Sequence, residues 1–558
     1  MKKDSSSLWS PDEGTRKKSN LEFFCRNLDE KKLLKYKANF KHLWEWSVNK
    51  PEIFWSEVWD FTKIKGEKGK KILKKNKVFY KNSFFPDSKL SYAENLLPKK
   101  NEEIAIKFLS ERGIEKKITW KKLHENVCKF SYFLKKIKLK EKERVAAYVP
   151  NTIETIISFL ATSKNGLVWS SCSPDFGIQG VVDRFLQIKP KVLITCEYYY
   201  YNGRKINILE KIPEILKKIK SIKKVIVFPY GNQFEKKIDS KYLDFYSILK
   251  KSKLDLNFKK FEFNYPLYIL YSSGTTGVPK CITHGAGNVL LEHNKEFSLH
   301  CNVFDKDKIF YYTTTGWMMW NWLVGGLSSG ASLYLYDGSP TYPSKDILIN
   351  FCSKEKINLF GVSAKYIDFL KKENLNFSNL DLSSLKIIAS TGSPLLKESF
   401  EYVYNNIKEN VHLASISGGT DVVGCLVLGN IFSNVYSGEI QGESLGIDVD
   451  IFDEQGKKIA LGKKGELVVK KPFPTMPIKF WNDIGDKKFK KAYFSKYKNI
   501  WHHGDFIQKT SNNGFIILGR SDATLNPGGV RIGTAEIYRQ VEKIDFVRES
   551  LVVGHNYN

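Results

Sequence analysis

Ten residues, Tyr271-Ser-Ser-Gly-Thr-Thr-Gly-Val-Pro-Lys280, place two glycines, four hydroxyls and a lysine directly after the apolar run Tyr268-Ile-Leu-Tyr271. Gly274 and Gly277 can adopt positive φ and let the backbone close on a ligand with no Cβ in the way. Ser272, Ser273, Thr275 and Thr276 offer hydroxyl donors, and turned backbone N–H groups form an anion-binding concavity. Lys280 adds a compact positive charge. The combination suits a polyphosphate. It is not the P-loop, in which Gly-Lys-Ser/Thr opens a helix. Here Pro279 precedes the lysine, and Cys281-Ile-Thr-His284 reads as a strand closed by Gly285, with a helix from about Asn288. An ordinary Gly/Thr-rich hairpin is the alternative, and the density of phosphate-binding types argues against it.

Four further segments carry chemistry. Ser390-Thr-Gly-Ser-Pro394 follows an apolar run and places a tight turn where strand C-termini of an open sheet form a crevice. Ser415-Ile-Ser-Gly-Gly-Thr-Asp421 sets a hydroxyl beside a carboxylate, a pair able to hold phosphate and Mg²⁺. Trp501-His-His-Gly-Asp-Phe506 puts one carboxylate at a sharp turn, as needed to clamp a ribose diol. Gly519-Arg-Ser-Asp-Ala-Thr-Leu-Asn-Pro-Gly-Gly-Val-Arg531 combines two arginines, an aspartate and two adjacent glycines. Each segment alone is a common turn. All five in this order are specific.

These residues need elements to hold them. At 558 residues the chain is long enough for roughly three to four domains' worth of core. From Thr119 onward, runs such as Val145–Val149, Val192–Thr195, Lys224–Phe228, Ile309–Tyr312 and Leu385–Ala389 alternate with helical patterns, which argues an α/β fold with largely parallel sheets. After about residue 430 the texture turns to short strands and turns, Asp448–Phe452, Gly465–Val469 and Gly514–Leu518, and predicts a β-rich subdomain. The first ninety or so residues hold Trp44, Trp46, Trp55 and Trp59; the last two, at i and i+4, fit one face of a packed helix.

Lys+Arg 89 against Asp+Glu 60 gives a net charge of +29, which raises nucleic acid or an anionic membrane as a partner. The lysines, however, are spread in short runs such as Lys68–Lys71, Lys217–Lys220 and Lys487–Lys491, not gathered in a binding tail. Solvated surface is the expectation, with neither nucleic acid nor membrane as partner. Eight scattered cysteines without a Cys-x-x-Cys argue against a metal or disulfide framework and fit a reducing compartment. No apolar run reaches membrane-span length, and Met1-Lys-Lys-Asp-Ser-Ser-Ser lacks a signal-peptide core. A cytoplasmic protein is expected.

With its five segments in this order, the chain resembles the adenylate-forming superfamily of acyl-CoA synthetases, luciferases and peptide-synthetase adenylation domains. Within that superfamily, Trp169–Gly177, Thr313–Trp322, Ser417–Gly424 and Asp522–Glu536 are similar to the acetoacetate-activating branch. The resemblance implies a large N-terminal domain of two α/β-sheet subdomains plus a β-rich one, followed by the start of a small α+β C-terminal domain. The boundaries expected are a cap over 1–90 belonging to the large domain, an adenylation core over 91–430, a β-rich subdomain over 431–521, and a hinge and C-terminal portion over 522–558.

It also implies a two-step ligation using acetoacetate, ATP, Mg²⁺ and CoA, through an acyl-adenylate. Ser272, Ser273, Gly274, Thr275, Thr276, Gly277 and Lys280 would hold the departing β- and γ-phosphates. Thr420 would bind the α-phosphate, and Asp421 would stand where relatives use glutamate for Mg²⁺, reaching the metal through a water. Asp505 would take the ribose hydroxyls, Arg520 the ribose and Arg531 a phosphate, while Gly392, Ser393 and Pro394 line the adenine slot. Asp522 matches the family's hinge, and Gly528 and Gly529 match positions where the pantetheine arm of CoA passes the backbone.

Acetate-specific relatives close the acyl pocket with a tryptophan two residues before the motif threonine. Here Gly418 stands there with Gly419 beside it, leaving room for a longer acid, with Trp317 as remaining wall and Asn321 or a pocket hydroxyl as donor to a keto oxygen. On that reading Gly418→Trp shifts preference toward acetate. Members of the family carry, past the hinge, a Gly-Lys motif whose lysine serves adenylation, and no residue here matches it. The expectation is a truncated sequence that binds ATP and adenylates slowly; the alternatives are a ligase for another short acid, or an ATP/AMP-binding protein defective in adenylation.

Overall fold

The apolar runs that read as strands are indeed covered on both faces: Val168–Cys172 and Val192–Cys196 are buried at every position. Such strands belong in the middle of sheets clad by helices. The computed structural model describes residues 7–272 and 278–521, with 524–525, 532–533, 537, 541, 544, 546–547 and 550–552. Two large sheets dominate. The first runs in the order 243–244, 224–228, 192–196, 144–148, 168–172, 266–272, 280–285, 479–480. It is parallel up to Pro266–Ser272 and antiparallel beyond. The second has the order 412–415, 387–391, 359–363, 308–311, 332–337, 104–110, 115–119, and only its last pair is antiparallel.

The β-rich texture past residue 430 becomes a four-stranded antiparallel sheet of Val449–Phe452, Lys464–Val469, Trp501–Lys509 and Phe515–Arg520. It has its own apolar cluster around Ile451, Leu467, Trp501 and Phe515. The architecture is the expected α/β arrangement with a β-rich part. The N-terminal helices do not form a separate core. Pro51–Phe61 buries Trp55 and Trp59 one turn apart, and both belong to the apolar cluster that runs through the two large sheets. Proline at the first turn of that helix costs no hydrogen bond, because its N–H would have no intrahelical partner there.

The strands expected on either side of the glycine-rich segment are present: Pro266–Ser272 pairs antiparallel with Lys280–Gly285. The helix that follows, Ala286–Lys295, begins two residues earlier than its sequence pattern suggested, because Gly285 itself takes the N-cap position. The eight cysteines are free and buried. Among the described residues no helix is long and apolar enough to cross a membrane.

Candidate nucleotide and acid site

The base of the glycine-rich loop is built by register. Ser272 and Lys280 face each other as the last pair of their hairpin. Ser272 Oγ is buried without a partner, and Lys280 has no acidic partner among the described residues. A lone hydroxyl beside a lone cation is what an incoming polyanion would satisfy. Ser273, Gly274, Thr275, Thr276 and Gly277 lie outside the described residues, as do Asp522, Gly528, Gly529 and Arg531.

The other segments converge. A cavity of about 270 Å³ is lined by Trp317, Met318 and Met319, by Thr391 to Leu395, by Ser415 to Thr420, by Gly424 and Cys425, and by Asp505 and Arg520. It opens at the C-terminal ends of Ile387–Thr391 and His412–Ser415, the edge where open parallel sheets bind ligands. Gly392 turns there with φ of 92°, a conformation that favours glycine, and presents its α-carbon side to the Trp317 ring. Asp505 and Arg520 are opposite each other in the antiparallel pair of the β-rich sheet, with Nη1 3.4 Å from Oδ1. The charge of Arg520 is thereby held at the rim beside the carboxylate.

Ser417–Gly419 and Gly424–Leu428 form the hairpin that carries Thr420 and Asp421 at its turn. One oxygen of Asp421, Oδ1, accepts the hydroxyl of Tyr493. His284 contacts the carbonyl of Thr420 at 2.9 Å through Nε2; burial pushes this imidazole down to about 3, so it is neutral and Nε2 donates.

Two expectations need correction. Gly418 is not the vacated site of an indole. A Cβ there would lie 1.9 Å from the carbonyl oxygen of Gly424, so any side chain would run into the partner strand. The glycine is required by close approach of two backbones. At Gly419 the nearest atoms to a Cβ are Asp421 Oδ2 and the His503 ring, at 3.8 Å. Asn321 is not on the cavity wall either. It is wholly buried on Met318–Gly325, both amide atoms lack partners, and only the first two residues of that helix reach the cavity. Hydroxyls that do line it are those of Thr391, Ser393, Ser415, Ser417 and Thr420. Trp317, Gly392, Ser393 and Pro394 line this cavity.

The structure adds His503 and Tyr493. Trp501, His503 and Asp505 alternate along one strand and so share a face. Trp501 Nε1–H, which can only donate, points at His503 Nδ1 at 3.5 Å. Nε2 therefore carries the proton, 3.3 Å from the carbonyl of Gly418 and 3.4 Å from Asp505 Oδ2. The i, i+2 spacing of His503 and Asp505 is a signal the sequence contained. Tyr493, which stacks on Trp501 at 3.8 Å, lies 72 residues from Asp421 and gave none.

Residues 95–477 fit the family described as AMP-binding enzyme. Over 99% of its length the chain is 45% identical to the acetoacetyl-coenzyme A synthetase of Rhizobium meliloti (strain 1021), covering 85% of that protein. Over 98% it is 42% identical to the acetoacetyl-CoA synthetase of Xenopus tropicalis, covering 83%. The solved acetoacetyl-CoA synthetase from Streptomyces lividans superposes with a TM-score of 0.92 at 34% identity, over 99% of this chain and 86% of that one. The chain belongs to the AMP-binding enzyme family and, within it, to the acetoacetyl-CoA synthetases.

Proposed function

We propose that this protein is an AMP-forming acid–thiol ligase that joins acetoacetate to CoA at the expense of ATP. The observation that carries the reading is the convergence of Trp317, Gly392–Pro394, Thr420, Asp505 and Arg520 on one cavity, in a chain 45% identical to an acetoacetyl-coenzyme A synthetase.

In the first step an oxygen of the acetoacetate carboxylate bonds to the α-phosphorus of ATP, and the bond from that phosphorus to pyrophosphate breaks. In the second the CoA sulfur, having lost its proton to solvent, attacks the acyl carbon and AMP leaves. Lys280 and the Ser272 hydroxyl receive the β- and γ-phosphates. Thr420 receives the α-phosphate, Asp505 and Arg520 hold the ribose, and the turn at Gly392, Ser393 and Pro394 cradles the adenine. Positioning and charge neutralisation supply most of the catalysis in such chemistry. Asp421 fits a hydrated Mg²⁺: Oδ1 is oriented by Tyr493, and Oδ2 takes no bond among the described residues. When bound, the metal would neutralise phosphate charge. The carboxyl-binding end of the cavity lies between Trp317 and the hairpin Ser417–Leu428, and wall hydroxyls are the candidates to meet the keto oxygen.

The test is a panel of acetoacetate, acetate, propionate and 3-hydroxybutyrate, read by pyrophosphate release. Acetoacetate should give the highest kcat/KM, by tenfold or more where a buried donor meets its keto group. A higher value for any other member would reassign the substrate, and no release with any acid would leave nucleotide binding alone.

A further inference from the structure

The helix Ala286–Lys295 is buried at every position and passes directly into a π-helical turn, Glu296–His300. π-Turns inside helices recur at functional sites. From the strand before this helix to its end, four side chains grip successive backbone groups of the segment that carries Thr420. His284 reaches Thr420 O at 2.9 Å, and His293 reaches Val423 O at 2.8 Å. Glu296 Oε1 accepts the N–H of Cys425 at 2.6 Å, and His300 reaches Gly429 O at 2.9 Å.

Two of the four have a second obligation: His300 Nε2 also accepts the N–H of Leu445 at 3.3 Å, and Glu296 also reaches the helix of the facing wall. Its Oε2 accepts the indole N–H of Trp322 at 2.7 Å. Cys425 belongs to one wall of the cavity; Trp322 rides on the helix whose Met318 and Met319 form the facing wall. The neighbouring cation does not compete for Glu296. Lys295 spends its bonds on Glu292 Oε1 and Ser444 Oγ, each at 2.6 Å. The wall strand also lies directly on the acid: a Cβ on Gly424 would come within 3.0 Å of Glu296 Oε1. One buried carboxylate thus has each oxygen committed to a different wall of the same cavity.

We infer that Glu296 is a positioning residue that sets the spacing of the two walls of the acid-binding cavity and thereby the choice of acid. This rests on the ligase reading. An amide at 296 has the same shape but must turn an NH₂ toward one of two N–H donors, so one wall is released. A merely structural carboxylate would, when altered, affect all substrates together.

The experiment measures both substrates in the full chain for wild type, Glu296→Gln, Trp322→Phe and the double variant, with melting temperature and ATP binding as checks on folding. Glu296→Gln should raise KM for acetoacetate at least tenfold while KM for ATP stays within twofold. Its kcat/KM ratio for a longer branched acid over acetoacetate should rise at least fivefold. Trp322→Phe should move the acid KM in the same direction, and the double variant should show less than the product of the two effects, because both interrupt the same Cys425–Glu296–Trp322 link between the walls. Equal changes in the two KM values, no change, or full multiplicativity would overturn the inference. Should Glu296→Gln fail to fold, Trp322→Phe alone decides on the split between the two KM values. Wild type inactive with acetoacetate would strike the ligase reading; an active wild type with indifferent variants would strike only this one.

Discussion

At the scale of single residues the site is defined by what each side chain is prevented from doing. Tyr493 fixes the Asp421 carboxylate through Oδ1. A hydrogen bond to a charged group contributes about 1.5–3 kcal/mol. Tyr493→Phe should therefore raise the Mg²⁺ concentration needed for half-maximal ATP binding by roughly 10- to 100-fold. The ring stays stacked on Trp501, so the melting temperature should move little. Calorimetric ATP titrations at several Mg²⁺ concentrations check it; an unchanged metal requirement would remove Tyr493 from the site. Gly418 makes a second prediction. Even Gly418→Ala forces the hairpin apart, at about 1–3 kcal/mol for overpacking. It should lower kcat/KM for acetoacetate and acetate alike, whereas Gly419→Ala should be tolerated. A selective gain for acetate at 418 would restore the vacated-indole reading.

At the scale of elements, what could be read from the sequence was local. The paired strands that end at Ser272 and begin at Lys280, the turn at Gly392–Pro394 and the helix face of Trp55 and Trp59 follow from turn chemistry and periodicity within a dozen residues. The buried ladder from His284 to His300 was not legible, since each rung joins residues about 130 apart in sequence. Nor was the direction of a Cβ at Gly418, which depends on the register of a three-residue strand against Gly424–Leu428. Asn321 was misplaced for the same reason: helical phase, not sequence proximity to Trp317, decides which residues reach the cavity. The N-terminal helices are as much core as the sheets. Trp55→Ala, at a position with no exposed surface, should cost about 3–5 kcal/mol in denaturant unfolding. A loss under 1 kcal/mol would mean that Pro51–Phe61 is peripheral.

At the scale of the whole molecule, buried titratable groups set the pH range of stability. Burial lowers His284 and His300 to about 3 and His293 and His412 to about 4. These four bind protons in the unfolded chain below its ordinary histidine value near 6.5 and stay neutral in the fold, so their stability is present above that pH and lost as pH falls. Asp337 is pushed the other way by burial, to about 7, and holds a proton in the fold that the unfolded chain releases above its carboxyl value. Between pH 6 and 5 four protons are thus opposed by one. The net loss from these groups is about 3–4 kcal/mol over that unit, at about 1.4 kcal/mol per proton. Equilibrium unfolding across pH 5 to 8 checks it, and a flat profile from 6 to 5 would contradict it. The charge of +29 belongs to this scale as well: lysines pair with carboxylates across the surface, as Lys68 with Asp60 and Lys356 with Asp381.

The claim on which the rest depends is that an acid oxygen attacks the α-phosphorus of ATP in the cavity between Trp317 and Thr420. Acetoacetate labelled with ¹⁸O in its carboxylate, incubated with ATP, Mg²⁺, CoA and the protein, tests it most directly. The account predicts one labelled oxygen in the AMP released and none in pyrophosphate. Unlabelled AMP, or label carried into inorganic phosphate beside ADP, would contradict it.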